Sequence, residues 1–156
     1  MPPALRVADL RLKGKPVPGY LKFLYMLSEN VLLRQLRDRI GLSKPRFAAT
    51  AGSVLGEDTF KFIAAIGVKL RQVYGSSEGG MISGHLEDDI RVATVGPPLP
   101  GVKVKISDDG EILVQSNYAF SQYYKNPEET AQALRESWWY SGDAGTIDEH
   151  GHIIFM

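Results

Sequence analysis

The sequence predicts an α/β fold in which a parallel strand-helix-strand unit is followed by a β-rich portion. Residues 46–75 read as strand, helix and strand, with a Gly/Ser turn at the carboxyl end of each strand. Val102 to Ile106 alternates apolar and polar side chains, Ser107-Asp108-Asp109-Gly110 is a tight turn, and Glu111 to Gln115 returns, the pattern of a hairpin. Upstream of both, apolar residues recur at Leu24, Leu27, Val31, Leu36 and Ile40, which predicts one long helix from Tyr20 to Ile40.

A chain of 156 residues is large enough to bury about 70% of its unfolded surface without staples. Its 44% hydrophobic and 23% charged residues are those of an ordinary folded protein. Eighteen basic side chains balance eighteen acidic ones, so the charge gives no reason to expect nucleic acid as a partner. The absence of cysteine excludes disulfides, thiolate metal sites and cysteine nucleophiles. The N-terminus has no apolar stretch before a small-residue cleavage site, and the longest apolar run, Tyr20 to Leu27, is far below the ~20 residues of a spanning helix. A cytoplasmic location is the expectation.

Taken in order, residues 1–19 carry prolines and cations and read as an extended basic lead-in. The helix that follows ends in Arg34, Arg37 and Arg39 and then Gly41, cations and a glycine stop suited to a helix C-terminus. It reads as a packed amphipathic helix, and a peripheral hold on an anionic membrane surface stays open for it. Arg46 to Thr50 is a short strand ending at Ala51-Gly52-Ser53. Glu57 to Ile66 is a helix stopped by Gly67, and Lys69 to Tyr74 is the second strand. A crossover helix of that length makes the two strands parallel, with Ala51-Gly52-Ser53 and Gly75-Ser76-Ser77 at one sheet edge. After the hairpin, Asn126, Pro127 and Glu129 signal the start of a helix over 127–137. Ala144–Asp148 and His152–Met156 read as short strands around Glu149-His150-Gly151. The chain divides at 1–40, 41–89 and 90–156, the last piece stopping in mid-strand as a fragment would.

The stretch Val73-Tyr74-Gly75-Ser76-Ser77-Glu78-Gly79-Gly80 concentrates the chemistry: a ring, two hydroxyls, a carboxylate and flexible backbone at a strand end. Gly75-Ser76-Ser77-Glu78-Gly79 fits G-x-S-x-G with Ser77 as nucleophile, and Asp143 with His150 or His152 follows in the order of a hydrolase triad. Against this, a nucleophile elbow leads into a helix, and Gly79, Gly80, Ser83 and Gly84 are poor helix formers. The three histidines, His85, His150 and His152, read as surface residues, and Trp138-Trp139-Tyr140 as packing. A third reading is a non-enzymatic interaction module whose Gly/Ser turns are only turns.

Three motifs in order decide between these. Tyr74-Gly75-Ser76-Ser77-Glu78, then Gly110-Glu111-Ile112 with Tyr123-Tyr124-Lys125-Asn126-Pro127-Glu128-Glu129-Thr130, then Trp138-Trp139-Tyr140-Ser141-Gly142-Asp143, resemble those of the AMP-forming acyl-CoA synthetases of the adenylate-forming superfamily. The resemblance runs from about residue 41 onward. Leu36 to Leu42 and the basic, aromatic lead-in look most like the long-chain fatty acyl-CoA ligases.

The resemblance implies part of an acetyl-CoA-synthetase-like large domain, and a parent reaction in which a fatty acid, ATP and CoA give acyl-CoA, AMP and pyrophosphate. It assigns Tyr74 to stacking on adenine, with Gly75 and Ser76 on the nucleotide's backbone side. Ser77 becomes a hydroxyl donor to the α-phosphate, Glu78 the carboxylate for Mg²⁺, and Asp143 the acceptor of both ribose hydroxyls. Gly52 and Ser53 stand beside adenine, and Ala51, Gly79 and Gly80 beside the acyl chain, with the two glycines leaving room for it. The family's phosphate-gripping loop with its Lys is expected before residue 1, and its hinge and C-terminal domain after Met156. The chain is therefore expected to bind an adenine nucleotide at best and not to ligate alone.

Overall fold

A computed structural model describes residues 2–53, 55–87 and 89–156. They fall into two compact units, residues 2–50 with 55–71, and residues 51–53 with 72–156. The strand-helix-strand unit and the β-rich part are both present. One sheet has the order β1 (Ala48–Thr50), β2 (Leu70–Ser76), β3 (Gly80–Gly84), and the other the order β4 (Val102–Ile106), β5 (Glu111–Ser116), β7 (Trp138–Ile147), β6 (Leu134–Arg135), with β8 (Ile153–Phe155) paired to β7.

In the first unit the expected lead-in is a helix, α1 (Pro2–Leu12). Prolines at its first two positions cost nothing, since those N–H groups have no partner within a helix. Ala4, Val7 and Ala8, spaced three and four apart, are buried on one face. The expected long helix runs as α2 (Gly19–Ser28), a π turn at Glu29–Leu33, and α3 (Arg34–Arg39). Around the wide turn the Ser28 hydroxyl donates to the Leu24 carbonyl and the Asn30 amide to the Met26 carbonyl. Gly41 ends the run as predicted: at φ 75° its N–H reaches the Asp38 carbonyl while Leu42 N–H reaches that of Arg37. After β1 (Ala48–Thr50) comes α4 (Glu57–Ala65), which Gly67 closes in the same way. Ala4, Ala8, Leu33, Ala65, Ile66 and Val68 make this unit's core. Arg37 forks onto Glu29 and also donates to the Ile66 carbonyl, pinning the helical run to the C-terminal end of α4.

The second unit holds β2 (Leu70–Ser76) from Gln72 onward, and the strand turns back at once into β3 (Gly80–Gly84). The pair is antiparallel, with Val73 opposite Gly84, and the register slips between Tyr74 and Gly75. A Cβ on Gly75 would run into the Gly80 carbonyl, so glycine there admits the close backbone approach. The predicted hairpin forms as β4 (Val102–Ile106) and β5 (Glu111–Ser116). Helix α5 (Pro127–Ala133) is shorter than expected, because Leu134-Arg135 leave it as β6 and pair with Trp138-Trp139 of β7 (Trp138–Ile147). The turn between them puts Glu136 and Ser137 at φ 50° and 67°. The expected strand at 144–148 is the second half of β7, and β8 (Ile153–Phe155) lies against it. Tyr74, Ile82, Val95, Ile112, Val114, Trp139 and Ile153 form the core, each large side chain contributing about 2–3 kcal/mol by leaving water.

Two histidines expected on the surface belong to that interior. His85 is 5% exposed and His152 fully buried. The Gln72 N–H donates to His85 Nδ1 at 3.0 Å, which fixes the proton on Nε2, 3.1 Å from the Thr94 hydroxyl. The same hydroxyl meets His152 Nδ1 at 2.9 Å, and His152 Nε2 lies 2.8 Å from Asp89 Oδ2. Both rings are buried just outside a strand, His85 after Gly84 and His152 before Ile153, a placement that a Gly turn beside His152 disguises in the sequence.

Candidate functional site

An open groove of about 790 Å³ in the second unit is lined by Ser76, Glu78, Glu111, Tyr123, Trp139 and Asp143, among others. Thus Glu78 and Asp143, far apart in sequence, face one space. Its lining carries six carboxylates, those of Glu78, Asp108, Asp109, Glu111, Glu129 and Asp143, and one cation, Arg135. The field inside favours cations.

Glu78 sits in the turn between β2 and β3, half-buried, and is held from the segment before α5. Its carbonyl accepts from the Phe120 N–H at 2.7 Å, and the Tyr123 hydroxyl donates to its Oε1 at 3.3 Å. Tyr123 is itself placed: its ring leans on Phe120 at 4.7 Å and its N–H donates to the Thr130 hydroxyl at 3.0 Å. Thr130 in turn belongs to the N-terminus of α5, where Asn126 Oδ1 accepts from Glu129 N–H. Burial and then the Glu78 charge push the Tyr123 phenol above the ordinary tyrosine range, so it remains a donor.

Asp143 is held from three sides. The Tyr74 hydroxyl donates to its Oδ2 at 2.7 Å. Its N–H donates to Ser141 Oγ, which passes its own proton to the Ile112 carbonyl. The preceding Gly142 N–H donates to Glu111 Oε1 at 2.8 Å. Tyr74 is 7% exposed, edge-on to Phe155 with ring centroids 4.8 Å apart. Tyr74 reaches the groove through its hydroxyl on Asp143. Burial first, and Asp143 next, raise its phenol far above the usual range.

The remaining candidates are dispersed. Ser76 lines the groove, but its hydroxyl accepts from Gly79 N–H at 2.9 Å and serves the turn. Ser77 is exposed at the tip, and Gly75 is exposed beside it. Gly79 is buried: a Cβ would come within 2.6 Å of the Trp139 ring and 3.0 Å of Ile82 Cδ1, so the room it leaves is filled by Trp139 and not open to an acyl chain. Gly80, at φ 65°, faces the Tyr118 backbone. Ala51, Gly52 and Ser53 are exposed in the bend after β1. The hydrolase reading fails on geometry. Ser77 tips a hairpin and does not open a helix, His150 pairs with Glu149, and His152 is spent on Thr94 and Asp89.

Among the described residues no three His, Asp or Glu side chains converge as an all-protein metal site requires. The donors at the groove are hard carboxylate and hydroxyl oxygens, which suit Mg²⁺ held by one or two carboxylates and completed by a substrate's phosphates. Tyr123 and Glu111, the supports of Glu78 and Asp143, were visible in the sequence as motif members but carried no signal of what they would touch.

A family model described as AMP-binding enzyme matches residues 16–124. The long-chain-fatty-acid–CoA ligase FadD15 of Mycobacterium bovis is 34% identical over 139 residues, 87% of this chain and 23% of that protein. The long-chain-fatty-acid–CoA ligase heimdall of Drosophila melanogaster is 30% identical over 150 residues, 92% of this chain and 22% of its own. Among solved structures, the amide bond synthetase McbA from Marinactinospora thermotolerans superposes with a TM-score of 0.69 at 34% identity, over 85% of this chain and 29% of that one. ATP-bound MatB from Rhodopseudomonas palustris gives 0.67 at 28% identity, over 70% and 25%. The chain spans about a quarter of the length of the curated relatives it matches. With the three motifs in order, the strand-helix-strand unit and β-rich part in place, and a family model covering most of the residues, this chain belongs to the AMP-binding enzyme family.

Proposed function

We propose that these residues form one wall of the nucleotide site of an AMP-forming fatty acid–CoA ligase. The observation that carries the reading is the convergence of Glu78 and Asp143 on one groove. A carboxylate that attacks the α-phosphate of ATP drives out pyrophosphate, so negative charge builds on the phosphates and must be met by cations and donors. Asp143, held by Tyr74 and by Ser141, has lone pairs for both ribose hydroxyls. The exposed Ser77 hydroxyl is the donor assigned to the α-phosphate. Glu78 would hold Mg²⁺, which supplies charge neutralisation when bound. Attack of CoA on the acyl-adenylate completes the parent reaction.

The fatty acid as substrate rests on the names of the curated relatives, and CoA on the same ground. A cytoplasmic location goes with substrates such as ATP and CoA, and no described helix is long and apolar enough to cross a membrane. A peripheral contact with lipid would involve α2, whose Tyr20, Phe23, Met26 and Leu27 are exposed. The groove itself offers Arg135 alone as countercharge to a triphosphate, so nucleotide binding without ligation is the activity expected of these 156 residues.

Isothermal titration of ATP and of AMP in the presence of Mg²⁺ tests the site. Glu78→Gln and Asp143→Asn should each weaken binding about tenfold, the loss expected when a charged hydrogen-bond or metal partner is removed. Binding indifferent to both substitutions rules out this groove as the nucleotide wall.

A further inference from the structure

Every carboxylate proposed for the reaction has to be aimed, and Glu78 stands on a three-residue turn that cannot aim it alone. Its backbone carbonyl is bonded to Phe120 N–H, which fixes where the residue sits. That bond leaves the side chain free to rotate among its rotamers. Among the described residues, the one side-chain bond that restricts this freedom is the Tyr123 hydroxyl on Oε1. We infer that Tyr123 is a positioning residue, which holds the Glu78 carboxylate in the rotamer that presents its other oxygen to Mg²⁺ in the groove. The inference rests on the nucleotide-site reading above and adds to it the residue that makes the metal carboxylate usable.

The support behind Tyr123 is what separates this from a chance surface contact. Its ring is braced by Phe120, a residue packed against the core of the second unit, so the brace is rigid. Its main chain is tied through Thr130 to the first turn of α5. Phe120 therefore fixes the Glu78 backbone with its amide and the Tyr123 ring with its side chain, and one anchor sets both ends of the hydroxyl–carboxylate bond. The phenol has no competing carboxylate bond, and a neutral donor is the chemistry wanted here. A lysine or arginine at this place would compete with the metal for Glu78, whereas a hydroxyl takes one lone pair and leaves the charge. Hydrogen-bond partners standing behind metal ligands are worth roughly ten- to a hundredfold in metal affinity.

The experiment uses the full chain with tyrosine labelled at the ring carbon that carries the hydroxyl. The Tyr123 resonance is assigned by its loss in Tyr123→Phe and compared between the wild type and Glu78→Ala at neutral pH. The resonance should shift in Glu78→Ala, since the acceptor of the hydroxyl proton is gone. In a second arm, Mg²⁺ is titrated into the chain at fixed ATP. Tyr123→Phe should weaken the apparent Mg²⁺ affinity about tenfold, with the thermal midpoint essentially unchanged. A Tyr123 resonance that ignores Glu78→Ala overturns the hydrogen bond and the inference with it. An unchanged Mg²⁺ affinity in Tyr123→Phe, alongside a lost one in Glu78→Gln, overturns the positioning role and leaves the site reading standing. A wild-type chain that takes up no Mg²⁺ with ATP overturns the site reading itself.

Discussion

At the scale of single residues, the second unit spends its buried polar groups in two ways. Tyr74 and Tyr123 keep their protons and lend them to Asp143 and Glu78, while His85 is kept without a charge. Burial first, and the neighbouring His152 next, hold the His85 imidazole down at about 4, against 6.5 for a free one. Asp89 pulls the other way, as do carbonyl groups of Arg91 and Thr94, and they lose to desolvation. The sign follows from the depressed value. The unfolded chain takes up a proton near pH 6.5 and the folded chain only near 4, so stability from this group is complete above 6.5 and is lost as the pH falls toward 4. The loss is on the order of 3 kcal/mol for a shift of this size. Urea unfolding at pH 7 and pH 4.5 should show a midpoint that drops steeply in the wild type and much less in His85→Gln. Equal drops in both would place the acid sensitivity elsewhere.

At the scale of elements, what the sequence made legible depended on whether the deciding partner was local. Gly41 and Gly67 were readable as stops because a left-handed residue closing a helix is a matter of a few neighbouring bonds. The Val102–Ile106 hairpin was readable because alternation and an Asp-Gly turn are both local. Helix α1 was hidden: three prolines and several cations outweighed Ala4, Val7 and Ala8, whose face becomes meaningful only once α4 is there to cover it. The end of α5 was misjudged for the same reason, since Leu134 leaves the helix to pair with Trp139 in β7. In the site, Glu78 and Asp143 were legible from motifs, but Tyr74 on Asp143 spans 69 positions and Tyr123 on Glu78 spans 45, and no periodicity reports contacts of that range. The start of α5 is legible at Asn126, whose side chain accepts from Glu129 N–H. Asn126→Ala should cost about 1 kcal/mol, read as a lowered unfolding midpoint. A neutral result would mean that Pro127 and the Thr130 hydroxyl suffice to start the helix.

At the scale of the whole chain, balanced net charge conceals a local imbalance. Eighteen acids and eighteen bases cancel in total, yet the groove gathers six carboxylates against one arginine. A nucleotide that enters it without a metal meets repulsion. Chelating the divalent cation should therefore remove most ATP binding, and what remains should strengthen as KCl is raised from 0.05 to 0.3 M, because salt screens the repulsion. Titrations at the two salt concentrations, with and without chelator, measure this. A metal-free affinity that weakens with salt would mean that cations, and not this acidic wall, receive the phosphates.

The π turn at Glu29–Leu33 has a bearing on how this chain tolerates changes in length. Such a turn holds one residue more than the α-helix around it needs, and each residue of an α-helix advances the side chains by about 100°. Deleting one position there would let Gly19 to Arg39 close into an unbroken α-helix, with better backbone geometry than the present one. The faces on either side would keep their phase, so Arg37 should stay on Glu29 and the Ile66 carbonyl, and Leu33 or its replacement in the core. The wide turn is a phase shifter: an inserted residue absorbed without moving the faces on either side.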